Sequence, residues 1–156
     1  MINSDKYKSI SYNPETGEFI NKRFNRVSST KHPNGYIMVS VGREKFLAHR
    51  LAWEFVNGEF TGEIDHIDND KTNNSISNLR LVTRSQNQQN MPKRSNNTSG
   101  VKGVSWCKSK SKWRARVIKE GVDYVAGYFS NIDDAKRAIE GLRDKICGQY
   151  ANHGRV

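Results

Sequence analysis

Residues 92–100, Pro92-Lys93-Arg94-Ser95-Asn96-Asn97-Thr98-Ser99-Gly100, offer no large apolar side chain to bury. A chain cannot run such a stretch through a core, so it reads as a linker between two separately packed regions. Only 35% of the 156 residues are hydrophobic, which favours two or three modest clusters over one large core. The expected organisation is residues 1–91, a linker over 92–100, and residues 101–156.

Charge divides along the same line. The formal net charge is +10. Residues 1–92 hold 12 Lys and Arg against 10 Asp and Glu, whereas residues 93–156 hold 14 against 6. From Lys93 to Lys119 there are nine basic residues and no acid. This points to a polyanion partner for the C-terminal half, with a plain solvated basic surface as the alternative. No segment is long and apolar enough to enter a bilayer, so no membrane partner is expected. Cys107 and Cys147 belong to no Cys-x-x-Cys pair, so no structural zinc is expected. Two buried thiols in a reducing cytosol are expected instead, with a disulfide as the alternative. Met1-Ile2-Asn3-Ser4-Asp5-Lys6 leads into polar sequence without a signal-peptide pattern, so a cytoplasmic, non-secreted protein is expected.

The patterning predicts an α+β chain. Residues 6–24 read as a β-hairpin about Asn13-Pro14-Glu15-Thr16-Gly17. Tyr36 to Val41 alternates as a strand after Asn34-Gly35, and Phe46-Leu47-Ala48 starts another. His49 to Asn57 carries an apolar stripe of Leu51, Ala52, Phe55 and Val56, with Gly58 as its stop. Glu59 to Ile64 leads into Asp65-His66, and the polar loop Ile67 to Ser77 follows. Leu79 to Val82 is then a strand, and Arg84 to Met91 a helix opened by the capping box Thr83…Gln86. This gives strand, long loop, strand, helix. Beyond the linker, strands are predicted at Val101–Cys107, Lys112–Lys119 and Asp123–Phe129. A helix capped by Ser130 follows to Cys147, with Ile132, Ala135, Ala138, Ile139, Leu142 and Ile146 facing the sheet.

Asp65 and His66 carry the chemistry of interest. Cleaving a phosphodiester needs an acceptor for the proton of water and neutralisation of charge at the leaving oxygen. Asp65 and Asn87 offer hard oxygens for a divalent cation. His66 titrates near neutrality and can take the proton. Neighbours on a regular strand point to opposite sides, so the pair needs a strand end or a bend to act together. Alone, Asp-His carries little weight, because a satisfied core histidine beside a surface aspartate reads the same way and is commoner.

A wider set of residues adds a resemblance. Ala48-His49-Arg50-Leu51-Ala52, Ile64-Asp65-His66-Ile67-Asp68, Asn73-Asn74, Asn78-Leu79-Arg80 and Thr83…Asn87 resemble the HNH endonuclease family over about residues 45–91. The nearest likeness is to its phage and intron homing members. The resemblance implies a ββα-metal fold with Asp65 and Asn87 binding one divalent ion, magnesium first and manganese as the alternative. It implies that His66 is the general base and that Asn78 completes the catalytic set structurally, by tying the loop that orients the base. His49 is left between a structural role, a phosphate contact and a further ligand.

Residues 99–153 resemble the Apetala-type, or ethylene-responsive-factor, DNA-binding domain. The residues are Gly103-Val104, Trp113-x-Ala115-x-Val117, Gly127-Tyr128-Phe129, Asp134-Ala135…Ala138, Gly148 and Asn152. That resemblance implies a three-stranded antiparallel sheet lying in the major groove with the helix behind it. Lys102, Arg114 and Arg116 would face DNA. Ser105, Trp106 and Cys107 stand where the plant family has arginines, so phosphate contacts from Lys108, Lys110 and Lys112 are expected to outweigh base readout. Lys93, Arg94 and Trp106 complete the expected DNA-binding set. The function expected is a metal-dependent, site-preferring nicking or homing DNA endonuclease of phage type, acting on double-stranded DNA as a monomer, with a dimer left open. A DNA-binding protein with an inactive nuclease module is the rival reading.

Overall fold

The computed structural model describes residues 7–154, and Arg26 through its backbone only. The first residue of the expected hairpin and the residues read for a signal peptide lie outside that range. The fold is mixed α+β and divides into two compact units, residues 1–82 and 83–156.

In the first unit, β1 (Ile10–Tyr12), β2 (Phe19–Asn21) and β3 (Arg26–Val27) form an antiparallel sheet in that order. A second sheet joins β4 (Ser29–Lys31), β5 (Ile37–Val41) and β6 (Glu44–Leu47). Helix α1 (Ala48–Asn57) follows without a break and ends where Gly58, at φ 82°, donates its N–H to Glu54 O. Strands β7 (Glu63–His66) and β8 (Leu79–Val82) form a separate antiparallel pair, with Asp65 opposite Arg80 and His66 opposite Leu79.

One core joins β1, β2, β5, β6, α1, β7 and β8. Ile10, Phe19, Val39 and Leu51 are its largest fully buried side chains, and Ile64 and Leu79 join β7 and β8 to it. Its rings interlock: Tyr12 lies 4.8 Å from Phe19, and Phe19 meets Phe55 edge-on at 5.8 Å. Burying aromatic and branched side chains at roughly 25 cal/mol per Å² of apolar area is the main force holding these short strands together. The N-terminal β region is therefore the support on which β7 and β8 stand.

In the second unit, α2 (Arg84–Asn90) opens with the expected capping box: Thr83 and Gln86 each bond the other's backbone N–H. Strands β9 (Val104–Cys107), β10 (Lys112–Lys119) and β11 (Val122–Phe129) form an antiparallel sheet with β10 central. Helix α3 (Ile132–Cys147) packs its buried Ala135, Ile139 and Cys147 on Val104, Ala115 and Val117. Its N-cap is Asn131, whose side chain accepts from Asp133 N. Ser130 was the expected cap, and Asn131 displaces it by offering its carbonyl oxygen at the shorter two-residue span. Strand β9 begins three residues later than expected, because Gly103, at φ 81°, holds a conformation a side chain rarely adopts. A Cβ there would meet Arg116 O at 2.7 Å.

The boundary between the units differs from the sequence expectation, since α2 falls with the C-terminal residues. One side chain of α2 and the backbone carbonyls at its end explain this. Gln89 Nε2 donates to Ile118 O, and Asn90 O accepts from Asn152 Nδ2. Lys102 Nζ donates to Gln89 O at 2.8 Å and Met91 O at 2.6 Å. Lys102 was expected to face DNA, and the structure corrects this by spending its ammonium on carbonyls at the end of α2. Burial, with Arg143 adding to it and Cys147 opposing, pushes its pKa down to about 8. Lys102→Met should lower the stability of the second unit by about 1 kcal/mol, the net worth of such hydrogen bonds. The loss would be read as a lower denaturation midpoint.

Candidate active site

Strand β7 ends on His66, which is 5% exposed, directly after Asp65 at 7%. Their surroundings differ. Arg80 stands across the ladder from Asp65, and its Nε and Nη2 both donate to Asp65 Oδ2, at 2.9 and 2.8 Å. His66 is surrounded by rings and an amide. The His49 ring meets it edge-on at 5.0 Å, and Tyr36 lies 6.2 Å away. Its Nε2 lies 3.2 Å from Asn74 Oδ1. Burial lowers the His66 pKa from its ordinary 6.5, against the Asn74 hydrogen bond and the nearby Asp68, Asp65 and Asp70, which raise it.

The loop after His66 is held by its own polar groups. Asn78 Nδ2 donates to Asp68 Oδ1 and to Asn73 O, both at 2.9 Å. Asn78 Oδ1 accepts from Asp68 N at 3.1 Å, and Asn78 O accepts from Ile67 N. Asp68 Oδ2 takes a further bond from Asn73 Nδ2. Burial alone would raise the Asp68 pKa, but bonds from Asn73, Asn78 and the Asp70 backbone outweigh it and hold the carboxyl below 3.8. Asn78 thus closes the loop at both ends.

The structure brings His66 together with Asn74, His49 and Tyr36, and Asp65 together with Arg80. Asn74, Tyr36 and Arg80 were given no role from sequence. The doublet Asn73-Asn74 was visible, but nothing in a run of polar residues tells which asparagine turns inward. Tyr36 stands immediately before β5, under Lys71 Nζ at 4.5 Å from the ring. His49 is buried, and its Nδ1 has no hydrogen-bond partner among the described residues.

Asn87 stands half-buried on α2 in the second unit. Among the described residues no group of three or more His, Cys, Asp or Glu is placed to hold a metal. The donor chemistry suits a hard ion all the same. Asp65 carries a carboxylate of the kind a hard ion prefers, and magnesium keeps several waters while taking one or two protein ligands.

Of the expected DNA-binding set, Lys93, Arg94, Lys108, Lys110 and Lys112 are exposed. Trp106 is 48% exposed and meets the half-buried Trp113 edge-on at 5.0 Å. Lys110 Nζ lies 3.8 Å from the Tyr128 ring centre. Arg114 and Arg116 both donate to Asp123 Oδ2. That shared carboxylate fixes the guanidinium groups of these two arginines, which were expected to face DNA, and offsets part of their charge. Asp123 stands beside them because β11 pairs with β10, a contact that strand patterning alone does not place.

Residues 46–89 match the HNH endonuclease family model. The matched stretch runs from β6 through Asp65, His66, Asn74 and Asn78 to α2. Protein 3.8 of Escherichia phage T7 is 43% identical over 75 residues, covering 47% of this chain and 62% of that protein. The uncharacterized HNH endonuclease L560 of Acanthamoeba polyphaga mimivirus is 29% identical over 121 residues, covering 76% of this chain and 62% of that protein. The chain thus spans less than two thirds of the length of these curated relatives. A solved structure titled "DNA binding and cleavage by the HNH homing endonuclease I-HmuI" aligns with a TM-score of 0.49 and 26% identity, over 58% of this chain and 55% of that one.

Two outcomes follow from the burial of the site. Burial, with His66 and Arg50 adding to it, pushes the His49 pKa down to about 3 from 6.5. A histidine neutral in the fold but protonated when unfolded favours folding fully above pH 6.5, and that stability drains away as pH falls from 6.5 towards 3. At about 1.4 kcal/mol per tenfold change in proton affinity, roughly 3 kcal/mol is lost by pH 4. His49→Phe should flatten this acid loss, measured as urea midpoints at pH 7 and pH 4. Arg80→Leu removes the paired guanidinium beside the buried Asp65 carboxylate and should cost about 3 kcal/mol by denaturant titration.

Proposed function

We propose that this chain is a metal-dependent DNA endonuclease that hydrolyses a phosphodiester bond, in the manner of phage nicking or homing enzymes. The reading rests on one observation: the stretch matching the HNH endonuclease family holds a buried histidine, gripped at one ring nitrogen, immediately after an aspartate. In this reading His66 accepts the proton of the attacking water. Its depressed pKa keeps it in the neutral, proton-accepting form near neutrality. Asn78 keeps the loop closed so that the ring is presented in one orientation. Asp65 and Asn87 are proposed as the metal ligands, Asn87 on the strength of the sequence resemblance. A bound magnesium ion would supply charge neutralisation at the phosphate and the leaving oxygen.

Double-stranded DNA is the proposed substrate, and the second unit is the proposed anchor. We read it as an Apetala-type module, a three-stranded sheet backed by one helix. Lys108, Lys110 and Lys112 supply exposed charge near Trp106, and Lys93 and Arg94 extend it. Such contacts grip phosphates and position the duplex without specifying its sequence.

Supercoiled plasmid should be nicked with magnesium and left intact in EDTA. His66→Ala should abolish nicking and leave DNA affinity within about twofold. Wild-type protein that binds DNA but leaves the plasmid whole with magnesium and with manganese would instead indicate a binding protein. Affinity should fall steeply with salt, by roughly 0.9 in log K per phosphate contact per log unit of salt. Lys108→Ala combined with Lys112→Ala should flatten that slope.

A further inference from the structure

Asn74 is 2% exposed, and its contacts fix how its amide is turned. Its Nδ2 donates to Thr72 O at 3.0 Å, which leaves Oδ1 directed at His66 Nε2 at 3.2 Å. An amide oxygen only accepts, so Nε2 must carry the hydrogen. In a neutral imidazole the accepting lone pair then resides on Nδ1.

The N-terminal hairpin holds Asn74 in turn. Tyr12 OH, on β1, donates to Asn74 O at 2.8 Å. Pro14 O, in the hairpin turn, accepts from Ile76 N at 2.9 Å. Gly17, at φ 76°, presses so close that a Cβ would stand 2.4 Å from Asn74 C and 2.5 Å from Ser75 N. Only glycine fits both the conformation and the gap. The hairpin lies more than 50 residues from Asn74 along the chain, and three separate contacts meet the loop within Asn74 to Ile76.

The geometry points to Asn74 as a positioning residue. Its side-chain oxygen selects the Nε2–H tautomer of His66, so that Nδ1 is the nitrogen that takes the proton from water, and the β1–β2 hairpin clamps Asn74 in that position. This rests on the reading of His66 as the general base. It assigns a reason for the hairpin's contact with the loop beyond core packing. It also separates two asparagines of the same loop. Asn78 closes the backbone, whereas Asn74 sets the state of the ring.

The test uses the full chain with histidine ring nitrogens labelled by nitrogen-15. In the wild type the His66 resonances should report protonated Nε2 and unprotonated Nδ1. Asn74→Leu should lose that preference and slow single-turnover nicking by about 10- to 100-fold, the usual cost of removing a partner that orients a reacting group. DNA affinity should remain unchanged. Asn74→Asp retains an accepting oxygen, so it should keep the tautomer and recover most of the rate. Tyr12→Phe removes only the clamp's hydroxyl and should reproduce a weaker form of the Asn74→Leu effect with the fold intact. An unaltered tautomer and rate in Asn74→Leu would overturn the proposal. So would a folded Asn74→Asp as slow as Asn74→Leu. Because the resonances need no DNA or metal, a tautomer that depends on Asn74 in a protein that does not nick would uphold the contact. That result would place the failure in the nuclease reading.

Discussion

The amide of Asn78 is the fastening on which the candidate site depends. It makes three side-chain hydrogen bonds to the loop between β7 and β8, and so closes a long turn that contributes little to the core. Each bond is worth about 1 kcal/mol net, while ordering the backbone costs about 1–2 kcal/mol per residue. The bonds cannot order the loop alone. The difference is met from outside it: Ile64 and Leu79 anchor the flanking strands in the aromatic core, and the β1–β2 hairpin presses on residues 74–76. The N-terminal β region is thereby part of the site's support rather than a separate decoration.

The same economy governs the basic residues. A surplus of Lys and Arg in the C-terminal half suggests a surface of free cations, but position decides which of them face outward. Lys102 turns inward to carbonyls that end α2, and Arg114 and Arg116 share Asp123. Arg143, 2% exposed, donates to Lys102 O and lies against His153. Among the cations left at the surface, Lys108, Lys110 and Lys112 stand together about the turn from β9 to β10. The charge available to a polyanion is therefore smaller than the sequence count.

Most elements were legible because apolar periodicity is a local signal. The stripe in α1, the alternation of β10 and the spacing of Ala135, Ile139 and Ile146 in α3 each follow from burying one face. The capping box at Thr83 was legible for a similar reason, since both partners lie within one turn. The N-cap of α3 and the start of β9 moved, because an asparagine beside a serine and a glycine beside a valine compete on fine geometry. The attachment of α2 to the second unit was not legible, since it is made by Gln89 and Asn90, which carry no periodic signature.

By itself the sequence marked the candidate site residues and suggested two separately packed regions, because motif spacing and apolar pattern are properties of neighbouring residues. Only the tertiary structure decided what each polar group does. The loop and its flanks hold several asparagines alike in sequence. Closure of the chain directs Asn78 to the loop backbone and Asn74 to the ring of His66. Hydrogen bonds are directional and short, and their partners here come from β1, the hairpin turn and the facing strand. Those positions exist only once the core has formed.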